Sequence, residues 1–309
     1  MSSSAPVAAI DLGTNSCLLL VACRQGNVVM PVAQEMRIVR LGEGLSASGQ
    51  LNPAAMERAV TAILDFKEII AAHGCQKVRC VATAAFRTAS NAGDLQDRIS
   101  QASGYQVHEL TGRREAQLVL RAMQDSFPAP TGTRATVDVG GGSTEIIIES
   151  AGDMADIFSL PLGCVHLSER YLTTDPPTIG QLASLQSHIE HTLDAEALPA
   201  SAGSLIGVGG TATTFVAMEQ EMTTYDHARV HRATLPTASL DAILQRCIAL
   251  PLIERKSLPG LHPRRADLII AGGMVLNAVA ARLGLRELAV SDRGLRWGVV
   301  LELLDEAGG

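Results

Sequence analysis

One local pattern occurs twice in this chain. Ala9-Ile10-Asp11-Leu12-Gly13-Thr14-Asn15-Ser16 and Thr136-Val137-Asp138-Val139-Gly140-Gly141-Gly142-Ser143 both leave an apolar strand through Asp, an apolar residue and Gly. Both then pass two small residues, reach Ser and re-enter an apolar strand. Asp11 matches Asp138, Gly13 matches Gly140 and Ser16 matches Ser143, all at one offset. Such a hairpin turn suits an anion, because glycine lets backbone N–H groups approach closely and serine adds a hydroxyl donor. One copy would say little. Two copies, each opening a similar stretch, predict two related domains with phosphate-binding turns facing a shared cleft.

The rest of the pattern supports that division. Strands are expected at Val7–Ile10, Cys17–Cys23 and Val28–Met36, followed by a polar loop from Arg40 to Gln50. Asn52-Pro53 opens a helix that runs to His73. Lys77–Thr83 and Tyr105–Leu110 read as strands, and Ala92–Ser103 and Arg114–Asp125 as helices. Pro128-Ala129-Pro130-Thr131-Gly132 is a rigid, apolar-poor linker, which gives domains 1–128 and 129–309. In the second half, strands are expected at Ala135–Val139, Thr144–Ser150, Ile157–Pro161, Ser204–Val208, Leu268–Ala271 and Glu287–Val290, before a closing helix from Leu295. The class is α/β, with mixed sheets flanked by helices and a ligand between the halves.

Composition excludes several functions. Aromatics make up 3% of the chain and the net charge is −7, which argues against base stacking and against a nucleic-acid polymer as partner. A locally positive cleft for an anionic substrate remains compatible with that charge. The six cysteines form no C-x-x-C pair or zinc set and read as reduced thiols of a cytoplasmic protein. The N-terminus lacks a secretory signal, and the longest apolar run, Leu268 to Ala281, is too short to cross a membrane.

Several residues are candidates for chemistry. Gly140, Gly141, Gly142 and Ser143 offer successive amides and a hydroxyl to a phosphate. Glu145 follows on the outgoing strand where the first copy has Leu18, so the fold does not require a carboxylate there. With Asp138 it suits Mg²⁺, which takes a few carboxylates with phosphate oxygens and water; alternatively it points to solvent. Asp11 either joins such a site or accepts turn amides. Arg87, in Thr83 to Asn91, reads as an anion-binding arginine at a helix start, where the helix dipole gives a cation no structural reason to sit. Glu115 opens the helix before the linker. It serves either as a general base or as a dipole partner. Gly209-Gly210-Thr211 forms a glycine turn for a nucleotide or phosphate chain, or simply a tight packing point. Tyr225 to Arg232 reads as a basic rim, extended by Arg264-Arg265 and by Arg37 with Arg40. No P-loop and no G-x-S-x-G elbow is present.

Together these segments resemble the exopolyphosphatase / guanosine pentaphosphate phosphatase (Ppx/GppA) family of the actin-like ATPase superfamily. The resemblance rests on Ala9 to Ser16, Val39-Arg40-Leu41-Gly42-Glu43-Gly44-Leu45, Ala82 to Arg87, Gly112 to Ala116, Asp138 to Glu145, Pro161-Leu162-Gly163, Gly209 to Thr213 and Asp292 to Gly298. It implies two actin-like (ribonuclease H-like) domains and Mg²⁺-dependent release of terminal phosphate from a polyanionic chain. Residue by residue, Glu115 matches the base, Arg87 a phosphate-contacting arginine, and Asp138 and Glu145 the acidic metal–phosphate residues. Asn15, Ser16 and Gly140 to Ser143 match the phosphate loops. The resemblance also implies a homodimer.

Two departures stand out. Arg114-Glu115 replaces a frequent acidic pair, and Val230-His231-Arg232 replaces a frequent Val-His-Gly. The HD-type region of long members is absent after residue 309, so the expected substrate is short polyphosphate. Guanosine pentaphosphate hydrolysis, a phosphotransferase on the same fold, and a non-catalytic polyphosphate or alarmone sensor are the competing expectations.

Overall fold

The structure, a computed structural model, describes residues 4–150 and 155–308. Strand β1 (Val7–Leu12) turns back as β2 (Ser16–Gln25), which pairs antiparallel with β3 (Val28–Ile38). A short helix, α1 (Leu45–Ser48), interrupts the loop expected after β3, and α2 (Pro53–Ala72) follows. The Asn52 side chain accepts the Ala54 N–H at 2.8 Å, and Pro53 occupies the first helical position, so α2 begins where the sequence signals it. Its buried face carries Ala59, Ile63, Phe66 and Ile70 at helical spacing. Then come β4 (Lys77–Ala82), α3 (Ala84–Thr88), α4 (Ala92–Ser103), β5 (Val107–Glu109) and α5 (Gly112–Ser126). The sheet order is β3-β2-β1-β4-β5, with β4 parallel to β1.

The second sheet starts with β6 (Arg134–Val139), β7 (Thr144–Glu149) and β8 (Asp156–Leu160). Helices α6 (Cys164–Tyr171) and α7 (Ile179–Asp194) lead to β9 (Ser204–Val208) and α8 (Gly209–Glu219). Beyond them lie α9 (His227–Val230), β10 (Thr234–Pro236), α10 (Thr237–Ala249), α11 (Leu252–Arg255), a 3-10 turn at Pro263–Arg265, α12 (Ile269–Arg282) and β11 (Glu287–Ser291). The chain ends in α13 (Leu295–Gly308).

This sheet has the order β10-β11-β9-β6-β7-β8. Taken from the other edge, β8-β7-β6-β9-β11 repeats the first sheet strand for strand. The repeat extends to the turns. Gly13 N–H donates to the Ser16 carbonyl and Gly140 N–H to the Ser143 carbonyl, both at 2.9 Å. A Cβ at either glycine would lie 3.0 Å from that same carbonyl oxygen, so both turns favour glycine for one reason.

The chain forms two compact units, Met1–Ala122 with Gly294–Gly309, and Met123–Arg293. The terminal helix α13 therefore belongs to the first unit, whereas the sequence reading carried a second domain from residue 129 to 309. Gly298 explains the docking of α13, because a Cβ there would come within 2.0 Å of the Leu118 carbonyl oxygen on α5. Ion pairs from Arg24 to Asp305, Arg79 to Glu306 and Arg114 to Glu302 add to this seat.

One expected strand is a helix: Leu268–Ala271 lies at the start of α12. A short apolar run carries no periodicity that separates a buried strand from a buried helix. Gly272 and Gly273 belong inside this helix because Thr211 and Phe215 of α8 occupy the space that side chains would need. All six cysteines are free thiols, and among the described residues no helix is long and apolar enough to cross a membrane.

Candidate active site

In the first unit, Arg87 and Glu115 meet. Arg87 lies in the last turn of α3, and its Nη1 donates to Glu115 Oε2 at 2.9 Å and to the Leu110 carbonyl at 2.8 Å. From the sequence pattern Arg87 is expected at a helix start. The helix is only five residues long, so Arg87 sits where the dipole favours a cation. Its function therefore rests on the pair with Glu115 and not on a dipole conflict. Burial pushes the Glu115 carboxyl above the usual carboxylate range, and the Arg87 hydrogen bond and charge pull it back. A partly sheltered carboxylate with one fixed cation has the character of a general base.

Arg114, next in sequence, turns to a different partner. Its Nη2 reaches both Glu302 carboxylate oxygens, at 2.6 and 2.7 Å. The departure from an acidic pair is thus matched by an acid on α13.

The first hairpin contributes Asp11, Asn15 and Ser16. Asn15 is buried; its carbonyl accepts the Val39 and Arg40 amides, and its side-chain Oδ1 has no hydrogen-bond partner. Its Nδ2 lies 3.4 Å from Ser16 Oγ. Asp11 stands opposite Leu18 in the β1–β2 register.

The second unit holds the richer constellation. Asp138 and Glu145 are direct partners across β6 and β7, which puts both side chains on one face of the sheet. Glu145 does not point to solvent. It is 1% exposed, and its Oε1 accepts the Ser143 hydroxyl at 2.8 Å and the Ser159 hydroxyl at 2.9 Å.

The glycine turn is held from behind. Cys164 N–H donates to the Gly140 carbonyl at 3.0 Å and Val165 N–H to the Gly141 carbonyl at 2.9 Å. In a trans peptide the C=O and the following N–H point in opposite directions, so the Gly141 and Gly142 amides face away from α6. Gly163 completes the fit, since a Cβ there would lie 2.2 Å from the Gly142 carbonyl carbon.

Gly209, Gly210 and Thr211 open α8. Gly209 has φ +78°, and a Cβ on it would meet Asp138 Oδ1 at 2.2 Å. A Cβ on Gly210 would meet Arg265 Nη1 at 1.7 Å. The Thr211 hydroxyl donates to the Val139 carbonyl at 3.3 Å, which leaves its first-turn amide for a ligand. Asp138, the start of α8 and the Arg265 guanidinium are therefore contiguous. Arg265 is expected from sequence only on a basic rim, because the link between residues 210 and 265 is tertiary. Burial lowers the Arg265 pKa, and Cys164 and Tyr225 beside it act in the opposite direction.

The other expected rim residues are mostly engaged elsewhere. Arg37 pairs with Glu35 at 2.8 Å and Asp65 at 3.4 Å. Tyr225 donates to Asp292 Oδ1 at 2.5 Å, and His227 meets the other carboxylate oxygen. Arg232 has φ +67°, a conformation that glycine adopts readily and other residues rarely do. Its guanidinium lies over the Phe127 ring and donates to the Ser126 carbonyl.

For a metal, the donor set matters. Among the described residues, no group of three or more His, Cys, Asp or Glu side chains forms a ready-made cage. Asp138 and Glu145 offer hard oxygen donors on one sheet face beside an anion-binding turn. That set fits Mg²⁺, which binds through one or two carboxylates, substrate phosphates and water.

Repeated mixed sheets with glycine turns, an acidic pair and an arginine-held carboxylate define a phosphate-handling α/β protein. Residues 20–307 match the Ppx/GppA phosphatase family, and the chain belongs to that family. It is 35% identical over 315 residues to exopolyphosphatase 2 of Mycobacterium tuberculosis, covering 96% of this chain and 98% of the relative. The solved structure of the Aquifex aeolicus Ppx/GppA family member matches with TM-score 0.83 and 30% identity, over 99% of both chains. An exopolyphosphatase structure from Cytophaga hutchinsonii matches with TM-score 0.90 and 25% identity, over 97% of this chain and 98% of that one. Two actin-like α/β units are thus the family architecture.

Proposed function

We propose that the chain hydrolyses terminal phosphoanhydride bonds and releases phosphate from inorganic polyphosphate, with short chains preferred. The observation that carries this reading is the Glu115 carboxyl, raised by burial and held by Arg87 at 2.9 Å. The exopolyphosphatase relatives support polyphosphate as the substrate.

In this reading Glu115 orients a water molecule and takes its proton. The water oxygen bonds to the terminal phosphorus as the bridging P–O bond breaks, and the shortened chain leaves with the bridging oxygen. Arg87 balances charge on the transferring phosphoryl oxygens. The amides of Gly141 to Ser143 and of Gly209 to Thr211 donate to phosphate oxygens, while the Gly140 amide closes the turn on Ser143. Arg265 adds a guanidinium at the α8 turn, a group suited to phosphate. Asp138 and Glu145, paired across β6 and β7, would hold Mg²⁺. Bound there, Mg²⁺ supplies neutralisation of phosphate charge.

Free thiols fit a cytoplasmic setting, and the family resemblance supports a homodimer. Phosphate release from defined-length polyphosphates and from guanosine pentaphosphate, side by side with Mg²⁺ and no acceptor, tests the reading. Release from polyphosphate with water alone is expected. Turnover that requires ATP and a second substrate would make the protein a phosphotransferase, and tight binding with no turnover under any metal would make it a sensor.

A further inference from the structure

Arg255 is the most enclosed cation of the second unit that the site chemistry leaves unused. It is 3% exposed. Its Nε donates to the Cys247 carbonyl and its Nη1 to the Ala266 carbonyl, both at 2.9 Å. Its Nη2 donates to the Leu250 carbonyl at 2.9 Å and to Asp175 Oδ1 at 3.1 Å. The other Asp175 oxygen accepts the Leu252 N–H at 2.6 Å, which fixes the start of α11 that carries Arg255. A buried guanidinium spread over three carbonyls and one carboxylate ties separate segments of chain together.

One of those segments matters for the site. Ala266 directly follows Arg265, whose guanidinium lies against Gly210. The 3-10 turn that carries Arg265 is short: Arg265 N–H donates to the His262 carbonyl at 2.8 Å, and Leu268 N–H to the Arg265 carbonyl at 3.0 Å. At its other end, Gly260 presses on the last turn of α8. A Cβ there would lie 2.2 Å from the Ala217 carbonyl oxygen, and Gly260 N–H donates to the Met222 carbonyl at 2.9 Å. The loop is therefore anchored to α8 near Gly260 and clamped by Arg255 at Ala266. Between these anchors it delivers Arg265 to the opposite end of α8.

We propose that Arg255 is a positioning residue: it fixes the Ala266 carbonyl and so sets where the Arg265 guanidinium stands over the Gly209-Gly210 turn. This rests on the reading of Arg265 as a phosphate-binding group. Arg255 does not touch substrate. Lysine cannot replace it, because one ammonium cannot reach the same carbonyls in the planar fork geometry.

The test is a double-mutant cycle in the full chain, with Arg255→Lys, Arg265→Ala and the double variant. The readouts are KM and kcat for phosphate release from tripolyphosphate, tripolyphosphate binding by calorimetry, and thermal denaturation. Arg255→Lys is expected to raise KM and Kd roughly 5–30-fold, the scale of one or two hydrogen bonds, with kcat little changed. In the Arg265→Ala background the same substitution should add nothing. An equal added factor in that background, or a lowered melting temperature with unchanged KM, would overturn the role of Arg255 alone. Unchanged KM and Kd in Arg265→Ala would instead overturn the reading of Arg265, and the clamp proposal with it. If Arg255→Lys does not fold, Asp175→Asn at the half-exposed end of the clamp takes its place. A smaller rise in KM that vanishes without Arg265 supports the proposal, and an unchanged KM overturns it.

Discussion

One nitrogen of Arg87, Nη1, serves both the Glu115 carboxylate and the Leu110 carbonyl, at 2.9 and 2.8 Å. The arginine is thereby fixed to the backbone just ahead of α5, the helix that carries Glu115. The carboxylate and its cation are held as one piece of the first unit.

This predicts a pH profile. Burial raises the Glu115 pKa, and in its proposed role as a base the carboxyl works only when deprotonated, so the acid limb of kcat/KM should lie above the ordinary carboxylate range. Arg87→Met removes the hydrogen bond and charge that lower the pKa, so the limb should move to higher pH. A limb that stays in place in the variant would separate Arg87 from Glu115 in the mechanism.

Glycine packing makes a second prediction. Gly210→Ala puts a methyl group 1.7 Å from where Arg265 Nη1 now stands, and the flexible side chain must move. KM for polyphosphate should rise about 5–30-fold, on the scale of a lost hydrogen bond or two, with little change in melting temperature. Gly163→Ala meets backbone at 2.2 Å instead, so its main effect should be a lower melting temperature. The two variants exchanging these effects would contradict the packing account.

Glu145 bears on metal dependence. Glu145→Gln keeps an acceptor for the Ser143 and Ser159 hydroxyls but removes the charge. The half-saturating Mg²⁺ concentration should rise on the order of tenfold, the low end for altered metal surroundings. Magnesium titration of the phosphate-release rate checks this. An unchanged midpoint would leave Glu145 as a support for the turn.

Arg114 and Glu302 form one of the ties between α5 and α13, at 2.6 Å, and Arg79 shares the same carboxylate at 3.3 Å. Glu302→Gln should cost about 1 kcal/mol, because the arginines remain in contact with solvent and the charges are screened. Chemical denaturation at two salt concentrations measures it, and the loss should shrink at high salt.

The legible parts of this molecule were those in which chemistry is local. The repeated hairpin showed in the sequence because the Gly13 and Gly140 turns each close on a serine three residues away. The capped start of α2 and the acidic pair across β6 and β7 were legible for the same reason. What escaped was tertiary. Leu268–Ala271 looked like a strand because burial on all sides erases periodicity. Arg265 looked like a rim residue because only folding brings residue 265 to Gly210. The return of α13 to the first unit depends on Gly298 meeting Leu118, a contact that no spacing in the sequence announces.

In the proposed mechanism Glu115 primes the attacking water. The most direct measurement pairs turnover with binding on one preparation of Glu115→Gln. In that variant kcat for polyphosphate is expected to fall roughly 10²–10⁴-fold while tripolyphosphate still binds with near-native affinity. Near-native turnover in that variant would contradict it.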